Sequence, residues 1–249
     1  MKIISLSPAI TEILFALNAS DQIVGNTYWC DFPAEAKNIP KVGSFTNLDL
    51  KKLKIINPDL ILTSTIVQHH IFNQLKKEGF NVIHTDPRSL KDILESIKLI
   101  GKLVKKNSAA RKIREKMEQE ISDLRKNKAS HNFRVYIEEW YDPVMFSGNW
   151  VPEIVELAGG KYFPYKKQGI SQQTNESKLL KFDPEYIFVS YCGFGIKSDV
   201  NKIYRRETWQ NITAVKNKMV FAINETILNR PGPRIVQSSK EIRSYLNIT

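Results

Sequence analysis

The sequence predicts an α/β protein with two similar lobes that are joined by a single long helix. Short β-rich runs alternate with helical patterns along the chain, as in parallel sheets covered by helices. Residues 108–128 contain no Pro or Gly and read as one long helix. A unit made of a helix, an Asx-Pro-acid turn and a strand occurs once on each side of that helix. We therefore assign 1–107 to an N-terminal α/β lobe, 108–128 to a backbone helix and 129–249 to a C-terminal α/β lobe.

The first lobe shows the strand–helix alternation most clearly. Strands are predicted at 2–6, 23–25, 60–63 and 82–85, where aliphatic and β-branched residues cluster. Helices are predicted at 11–17, from 47 or 48 to 56, at 69–78, and from 89 onward. Ser7 is placed to cap the first helix, and the Asn57-Pro58 pair ends the second.

The backbone helix carries one apolar stripe. Its apolar residues recur every three or four positions: Ala110, Ile113, Met117, Ile121 and Leu124. Charged residues cover the rest of the surface, and Asn107 or Ser108 can cap the start. A surface helix within one domain is the alternative, but the repeated unit on either side favours a connection between lobes.

The second lobe repeats the pattern of the first. Strands are predicted at 134–137, 186–191 and 218–223, and helices at 152–158, from about 199, and at 235–245. The segment NPDLILTS, which starts at Asn57, matches DPEYIFVS, which starts at Asp183. Each follows an amphipathic helix rich in Leu and Lys, so two similar lobes are the economical interpretation.

Composition excludes several classes of protein. The chain has 249 residues, 42% of them hydrophobic, so it can bury a core. Its net charge of +11 comes from basic residues that are mixed with acids and accompany no nucleic-acid motif, so we expect no nucleic-acid partner. No apolar run is long enough to span a membrane. Taken as written, the sequence shows no secretory signal and predicts a cytoplasmic protein. It would be extracytoplasmic if a leader or anchor had been removed.

Catalytic motifs are weak. Gly193-Phe194-Gly195 follows a strand but lacks the third glycine of a dinucleotide fingerprint, and no P-loop or GxSxG elbow is present. The four histidines do not signal a metal cage, and the two cysteines fit no metal or redox spacing. Glu139 and Glu153 are a conceivable acid/base pair, although such carboxylates more often cap helices or hold a ligand.

The loop after the second strand is the strongest binding candidate. Residues 28–33 read Tyr-Trp-Cys-Asp-Phe-Pro and place aromatic rings beside a thiol and a carboxylate. Such a cluster fits poorly into a core, because Asp31 would need a partner there. Loops on a rigid scaffold are where binding residues gather.

Several stretches together resemble one known family. They are IISLSPAITEILFAL, VGNTYWCDFP, KVGSF, NLDLKKLKIINPDLIL, EEWYDPVMFSGNWVPEIVELAGG and RPGPR. The chain resembles the cobalamin-binding members of the helical-backbone substrate-binding proteins, the receptors of ABC importers for vitamin B12 and iron complexes. It is most similar to their leaderless subgroup. The resemblance implies two Rossmann-like lobes joined by one backbone helix, with the ligand in a cleft between the lobes and no required cofactor or resident metal.

The resemblance also implies a set of ligand-binding residues in the loops that follow the strands. They are Ser7, Pro8, Tyr28, Trp29, Cys30, Asp31, Ser44, Phe45, Glu139, Trp140, Phe146, Trp150, Glu153, Cys192, Gly193, Phe194, Arg230 and Arg234. Trp29, Phe45 and Trp150 suit the apolar faces of a corrin ring. Its polar edges suit the charged residues Asp31, Glu139, Arg230 and Arg234. Cys30 and Cys192 follow strands in different lobes, so the two-lobe interpretation predicts that both are reachable at the ligand site; the alternative is that each is a small buried hydrophobic residue.

Two positions depart from the family pattern. Members that dock on a permease carry an exposed Glu on each lobe; Glu176 is the equivalent in the second lobe, whereas the first-lobe helix has no acid. Ile227-Leu228 replaces an aromatic residue that often precedes the RPGPR segment.

We therefore predict a non-catalytic, monomeric binding protein for cobalamin or a related tetrapyrrole or metal chelate, working with an ABC permease or as an intracellular relative. One alternative is a cytoplasmic cofactor-handling enzyme that uses Cys30, Asp31, Glu139, Glu153 and Cys192. Another is an iron-siderophore or haem receptor.

Overall fold

The computed structural model describes residues 1–126 and 131–247, and these divide into two α/β units. The first unit contains Met1–Pro87 and Lys91–Met117, and the second contains Arg88–Leu90 and Glu118–Thr249. The predicted fold class, with two α/β lobes and parallel sheets, is confirmed.

The first unit is built on a four-stranded parallel sheet in the order β2-β1-β3-β4. Its strands are β1 (Ile3–Ser5), β2 (Ile23–Asn26), β3 (Leu60–Ser64) and β4 (Val82–Thr85). Its helices are α1 (Pro8–Ala16), α2 (Leu50–Ile56), α3 (His69–Lys77) and α4 (Leu90–Leu103), of which Leu90 is assigned to the second unit. Every residue of β1 and β3 is buried, as expected for parallel strands covered on both faces.

The strand order places a topological switch point between β1 and β3. The chain leaves β1 towards β2 on one side and reaches β3 and β4 on the other. Loops that follow such strands diverge to opposite faces of the sheet and leave a crevice at the carboxyl edge. The core beneath is aliphatic, with Ile4 and Ile61 of the sheet packed against Leu53 of α2 and Leu75 of α3.

The long helix α5 runs without a break from Asn107 to Lys126. Ala110, Met117 and Ile121 of the predicted stripe are buried, and the other two members, Ile113 and Leu124, are half-buried. The helix starts in the first unit and ends in the second. The prediction of one helix at 108–128 is thus confirmed as far as Lys126; residues 127 and 128 lie outside the described part of the chain.

The second unit contains a mixed six-stranded sheet in the order β10-β9-β5-β6-β8, with β7 also paired to β5. Its strands are β5 (Phe133–Tyr141), β6 (Val144–Phe146), β7 (Gly160–Tyr162), β8 (Gln172–Gln173), β9 (Tyr186–Val189) and β10 (Val220–Ala222). Its helices are α6 (Val151–Leu157), α7 (Glu176–Phe182), α8 (Asn201–Tyr204), α9 (Thr213–Lys216), α10 (Glu225–Leu228) and α11 (Ile235–Tyr245). β5 is parallel to β7 and β9, while β6 and β8 are antiparallel to their neighbours.

The second unit differs from the sequence prediction at its edges. β5 continues to Tyr141 instead of ending at Ile137, because its last residues pair with β6 in an antiparallel hairpin. β6, β7 and β8 were not predicted, since two or three residues are too few to show an alternating pattern. The helix expected from about 199 is a single turn, α8.

The repeated turn has the same geometry in both units. Asn57 and Asp183 each end a seven-residue helix in the left-handed region, with φ of 48° in both. Their N–H groups donate to Leu53 and Leu179, four residues earlier, at 3.0 and 2.9 Å. Both preceding helices are capped at the start by a side chain, Asp49 in α2 and Asn175 in α7.

The acidic residue that follows each Pro also has the same role. The Asp59 carboxylate accepts the Lys2 N–H at 2.6 Å, and the Glu185 carboxylate accepts the Arg134 N–H at 2.9 Å. Each bond joins the start of one strand to the start of its parallel neighbour. By contrast, Ser7 stands at the start of α1 without a side-chain capping bond, so its predicted capping role is wrong.

We expect Asp183→Ala to destabilise the protein more than the matched variant Asn57→Ala. Both place Ala in a left-handed conformation, which costs about 1–2 kcal/mol. Asp183 in addition accepts the Thr213 N–H and hydroxyl, both at 2.7 Å. Hydrogen bonds to a charged group stabilise a fold less when the group is exposed, and the Asp183 side chain is 41% exposed. We therefore expect Asp183→Ala to lose about 1–2 kcal/mol more than Asn57→Ala in the free energy of unfolding, measured with urea at pH 7.

The additional loss of stability in Asp183→Ala should depend on pH. Partial burial opposes ionisation, but the Thr213 hydrogen bonds and the Arg134 charge outweigh it and lower the pKa of Asp183. A lowered carboxyl pKa stabilises the fold above the unfolded value of about 4, and this contribution is lost as the pH falls through the folded value. An equal effect of the two variants at pH 7 would contradict the proposed contribution of these bonds.

Candidate functional site

The carboxyl edge of the first sheet exposes an unusual amount of apolar surface. Tyr28, Trp29 and Phe32, which follow β2, are 64%, 49% and 43% exposed, and Ile66 and Val67, which follow β3, are 44% and 51% exposed. We call these five residues the first strand-end surface. Large aromatic side chains at a ligand-binding edge are available to stack on a flat ligand.

Cys30 anchors the aromatic loop from below. Its side chain is 1% exposed, and its sulfur accepts the Thr11 hydroxyl at 3.1 Å and lies 3.3 Å from the Thr27 hydroxyl. Thr11 in turn bonds the Ser5 hydroxyl at 2.7 Å. The prediction that Cys30 is a reachable thiol is therefore wrong. The chain turns this small side chain inward, where hydroxyl groups satisfy it, and the neighbouring Trp29 outward.

Gln68 holds three loops of this edge together, and sequence reasoning missed it. It is fully buried, its amide nitrogen donates to the carbonyls of Leu6 at 2.7 Å and Phe45 at 2.9 Å, and its oxygen accepts the Ser64 N–H at 2.9 Å. These bonds fix the half-buried Phe45 segment against the ends of β1 and β3. The available signal was a polar residue in the short loop that follows a fully buried strand. Ser44 bonds within its own turn, to Asn47.

The carboxyl edge of the second sheet carries four aromatic rings. Tyr191 lies in edge-on or tilted contact with Trp140, Tyr141 and Phe194, with centroid separations of 6.5, 5.8 and 6.4 Å. Tyr191 is buried, whereas Tyr141 and Phe194 are 38% and 48% exposed. Trp140, Tyr141, Tyr191 and Phe194 are called the aromatic rim below.

Beneath the aromatic rim lies a buried ion pair that sequence reasoning also missed. The Glu138 side chain is 0% exposed and accepts two hydrogen bonds from Arg206, at 2.5 and 2.9 Å, and one from the Tyr191 hydroxyl at 2.7 Å. Arg206 also donates to the Tyr141 carbonyl and lies over the Trp209 ring, 4.3 Å from its centroid. Burial raises the pKa of Glu138, and the bonds from Arg206 and Tyr191 oppose that rise.

Glu139, the neighbour in β5, has a different environment. Adjacent strand residues point to opposite faces, so Glu138 and Glu139 do not share partners. Glu139 accepts the Ser171 hydroxyl at 2.5 Å, and burial raises its pKa. Its contact with ligand stays a prediction.

Cys192 and Gly193 lie in the loop after β9 and are exposed. Although Cys192 is exposed as a residue, loss of water around its sulfur, together with the charges of Glu139 and Glu225, raises the pKa of its thiol to about 12. The Asn229 amide donates to the sulfur at 3.6 Å, and the Gly193 N–H donates to Glu225 at 3.3 Å. The surroundings of Cys192 therefore favour the neutral thiol over the thiolate.

Several predicted ligand residues are instead part of the packing of the second unit. Trp150 is 4% exposed and its indole N–H donates to the Leu228 carbonyl at 2.8 Å, so its predicted open face is not observed. Phe146 is 6% exposed and packs on Phe163. Glu153 accepts the N–H of Leu90, which begins α4, so it caps a helix.

The remaining predicted residues have mixed environments. Ser7 and Pro8 are buried at the start of α1. Asp31, Arg230 and Arg234 are half-buried, and Arg234 donates to the Thr226 carbonyl at 3.1 Å. Glu176 is exposed at the start of α7, where it accepts hydrogen bonds from Thr208 and Trp209. Its role in docking stays a prediction, as do the ligand contacts of the other exposed residues.

Two further properties bear on function. Among the described residues, no three His, Cys, Asp or Glu side chains are grouped so that they could hold a metal ion. Within residues 1–126 and 131–247, no helix combines the length and apolar character that crossing a bilayer requires.

Comparison with known proteins gives a consistent result. Residues 3–226 match the family described as Periplasmic binding protein. The chain is 27% identical over 252 residues to YvrC of Bacillus subtilis, an uncharacterized ABC transporter substrate-binding lipoprotein, covering 97% of this chain and 78% of that one. It is 26% identical over 253 residues to the vitamin B12-binding protein of Vibrio cholerae, covering 99% and 89%. Its fold matches Staphylococcus aureus IsdE complexed with heme at a TM-score of 0.86 and 19% identity, over 98% of both chains.

The chain belongs to the periplasmic binding protein family. The predicted resemblance is thereby confirmed, and so is a binding role rather than a catalytic one. The prediction of a cytoplasmic protein is not supported, because the family is described as periplasmic and one relative is a lipoprotein. The ligand cleft between the lobes stays a prediction.

The two thiols should differ sharply in reactivity. In the native protein a maleimide should leave Cys30 unmodified, because it is buried, and label Cys192 slowly. A thiol pKa of about 12 instead of 9.0 leaves roughly a thousandfold less thiolate at pH 8. Cys30→Ser and Cys192→Ser identify the labelled site by mass spectrometry, and both thiols should react in urea. Rapid labelling of Cys30 in the native state would contradict its anchoring role.

The buried pair should show strong coupling. Arg206→Met leaves the Glu138 charge buried without its cation, so we expect a loss of about 3–5 kcal/mol in the free energy of unfolding at pH 7. The loss should shrink at acidic pH, where Glu138 is protonated. Adding Glu138→Gln to Arg206→Met should recover part of the stability. Denaturant unfolding of the two single variants and the double variant forms a double-mutant cycle. If the losses in unfolding free energy of the single variants simply add up in the double variant, the pair is not coupled.

Proposed function

We propose that this protein is the ligand-binding component of an ABC import system for a corrinoid, with cobalamin as the leading ligand. The observation that carries the proposal is the exposed run of Tyr28, Trp29 and Phe32 at the carboxyl edge of a parallel sheet. A flat macrocycle with apolar faces matches such rings. The names of the relatives support the transport role and the corrinoid.

Contacts within the first unit hold the loop that carries these rings in one conformation. A loop that is ordered before the ligand arrives is suited to binding. Cys30 fixes it from inside, and the Tyr28 N–H donates to the Gly43 carbonyl at 3.1 Å. A loop whose backbone is already ordered loses little conformational entropy on binding, so more of the stacking energy appears as affinity. We further propose an extracytoplasmic location, in keeping with the lipoprotein relative. The monomeric state stays a prediction.

Haem is a second candidate because of one residue. The phenol of Tyr28 belongs to a side chain that is 64% exposed, and tyrosine is one of the side chains that bind haem iron. A corrinoid already carries ligands on its cobalt and needs no such bond. Tyr28→Phe should therefore alter the absorption spectrum of bound haem but leave cyanocobalamin affinity within about twofold.

The central test is Trp29→Ala, measured by calorimetry with cyanocobalamin. Loss of an aromatic anchor should weaken binding by about 1–3 kcal/mol. The thermal midpoint should hardly change, because Trp29 is 49% exposed already. Ile55→Ala is the matched control, since it removes an 82% exposed side chain from α2, away from the sheet edge, and should leave affinity unchanged.

A wild-type protein that binds neither cyanocobalamin nor haem would overturn the proposed function. Unchanged affinity in Trp29→Ala together with a large fall in thermal midpoint would show that Trp29 is a packing residue.

A further inference from the structure

Lys202 places a positive charge against the aromatic rim. Its ammonium nitrogen lies 3.1 Å from the centroid of the Tyr141 ring and 5.6 Å from that of Tyr191. The residue is half-buried in the short helix α8. No carboxylate that the structure describes lies within ion-pair distance of this nitrogen.

The buried carboxylate beneath the rim is bound by Arg206 and not by Lys202. The Glu138 carboxylate is bound through both oxygens by Arg206, so this pair is internally neutral. Lys202 is near enough to Glu138 to favour its ionised form, yet it is a second cation beside a single carboxylate. Asp199, the acidic residue nearest in sequence, accepts the Asn201 N–H at 3.0 Å. The Lys202 ammonium therefore has a ring face as its described contact and no directly bound carboxylate in the part of the chain that the structure describes.

The ammonium group also keeps hydrogen-bonding capacity. A lysine has three N–H donors, and contact with a ring face uses the charge and only part of this set. Tyr141 and Phe194 beside it are exposed at the carboxyl edge, where α/β sheets bind ligands. Flat apolar surface next to an ammonium without a bound carboxylate matches a ligand that has both a conjugated ring and an anionic substituent.

We propose that Lys202 binds an anionic substituent of the ligand, a phosphate or a carboxylate, and so selects ring compounds that carry one. This inference rests on the proposed function for the identity of the ring. Lys202 is then a specificity-determining residue: the aromatic faces contribute affinity for any flat ring, and the ammonium distinguishes anionic rings from those without the charge.

The test compares Lys202→Met with Lys197→Met, which removes an equal charge from an exposed position in the same segment. Three probes separate the sources of the anion: cyanocobalamin has a phosphodiester, haem has two carboxylates, and dicyanocobinamide has the corrin ring without the phosphodiester. Lys202→Met should raise the Kd of cyanocobalamin or haem about tenfold, whichever binds through its anionic group. It should leave the Kd of dicyanocobinamide within about twofold of the wild-type value. Lys202→Arg should restore most of the difference, and Lys197→Met should show none.

A second pair of probes tests the inference independently of the proposed function. 1-Anilinonaphthalene-8-sulfonate is an aromatic anion, and N-phenyl-1-naphthylamine has the same rings without the sulfonate. If Lys202→Met weakens only the sulfonate while no corrinoid or haem binds to the wild type, the proposed function fails and the role of Lys202 stands. If Lys202→Met changes the affinity for the charged and uncharged members of each pair equally, or changes neither, with an unaltered thermal midpoint, the inference is overturned.

Discussion

Burial of the parallel strands on both faces is the constraint on which the rest of this structure depends. All residues of β1, β3 and β9 are buried, as is the centre of β5. A polar group within such a sheet must be fully bonded, as the buried Glu138 of β5 is to Arg206 and Tyr191. Polar and exposed aromatic side chains are therefore concentrated where the strands end, and in a parallel arrangement those ends share one edge.

The loops at those edges are fixed from below by a few buried polar groups. Gln68 satisfies backbone groups of three segments in the first unit, and the Cys30 sulfur accepts a hydroxyl beneath the aromatic loop. In the second unit the Glu138 carboxylate joins the end of β5 to Tyr191 and Arg206. Each of these groups is costly to bury alone and favourable when fully bonded, so each specifies one conformation of its loop.

The two edges nevertheless differ in chemistry, although the units share a repeated turn. The first strand-end surface is apolar and exposes Tyr28 and Trp29. The aromatic rim of the second unit lies over an ion pair and beside the Lys202 ammonium. The two surfaces have different uses in recognition, because stacking supplies affinity whereas charged contacts distinguish between ligands.

The sequence by itself determined the elements whose signals are local or long. Spacing and backbone preference predict the period of α5, the ends of α2 and α7 at the Asx-Pro turns, and the strands β1, β3 and β9. The structure contains all of these elements. The aromatic loop at 28–32 was likewise evident, since Trp beside Asp and Pro fits poorly into a core.

Only the tertiary structure decided which of the polar and aromatic residues face solvent. Cys30 and Trp29 are adjacent, yet one is buried and the other is half exposed. Trp150 was expected to stack on a ligand, but its ring is buried and its indole N–H donates to the Leu228 carbonyl, 78 residues away in sequence. Glu138 and Glu139 could not be told apart until Arg206 was placed against one of them. Local pattern fixes the backbone, whereas burial of a single side chain depends on partners that are distant in sequence and meet it only in the folded chain.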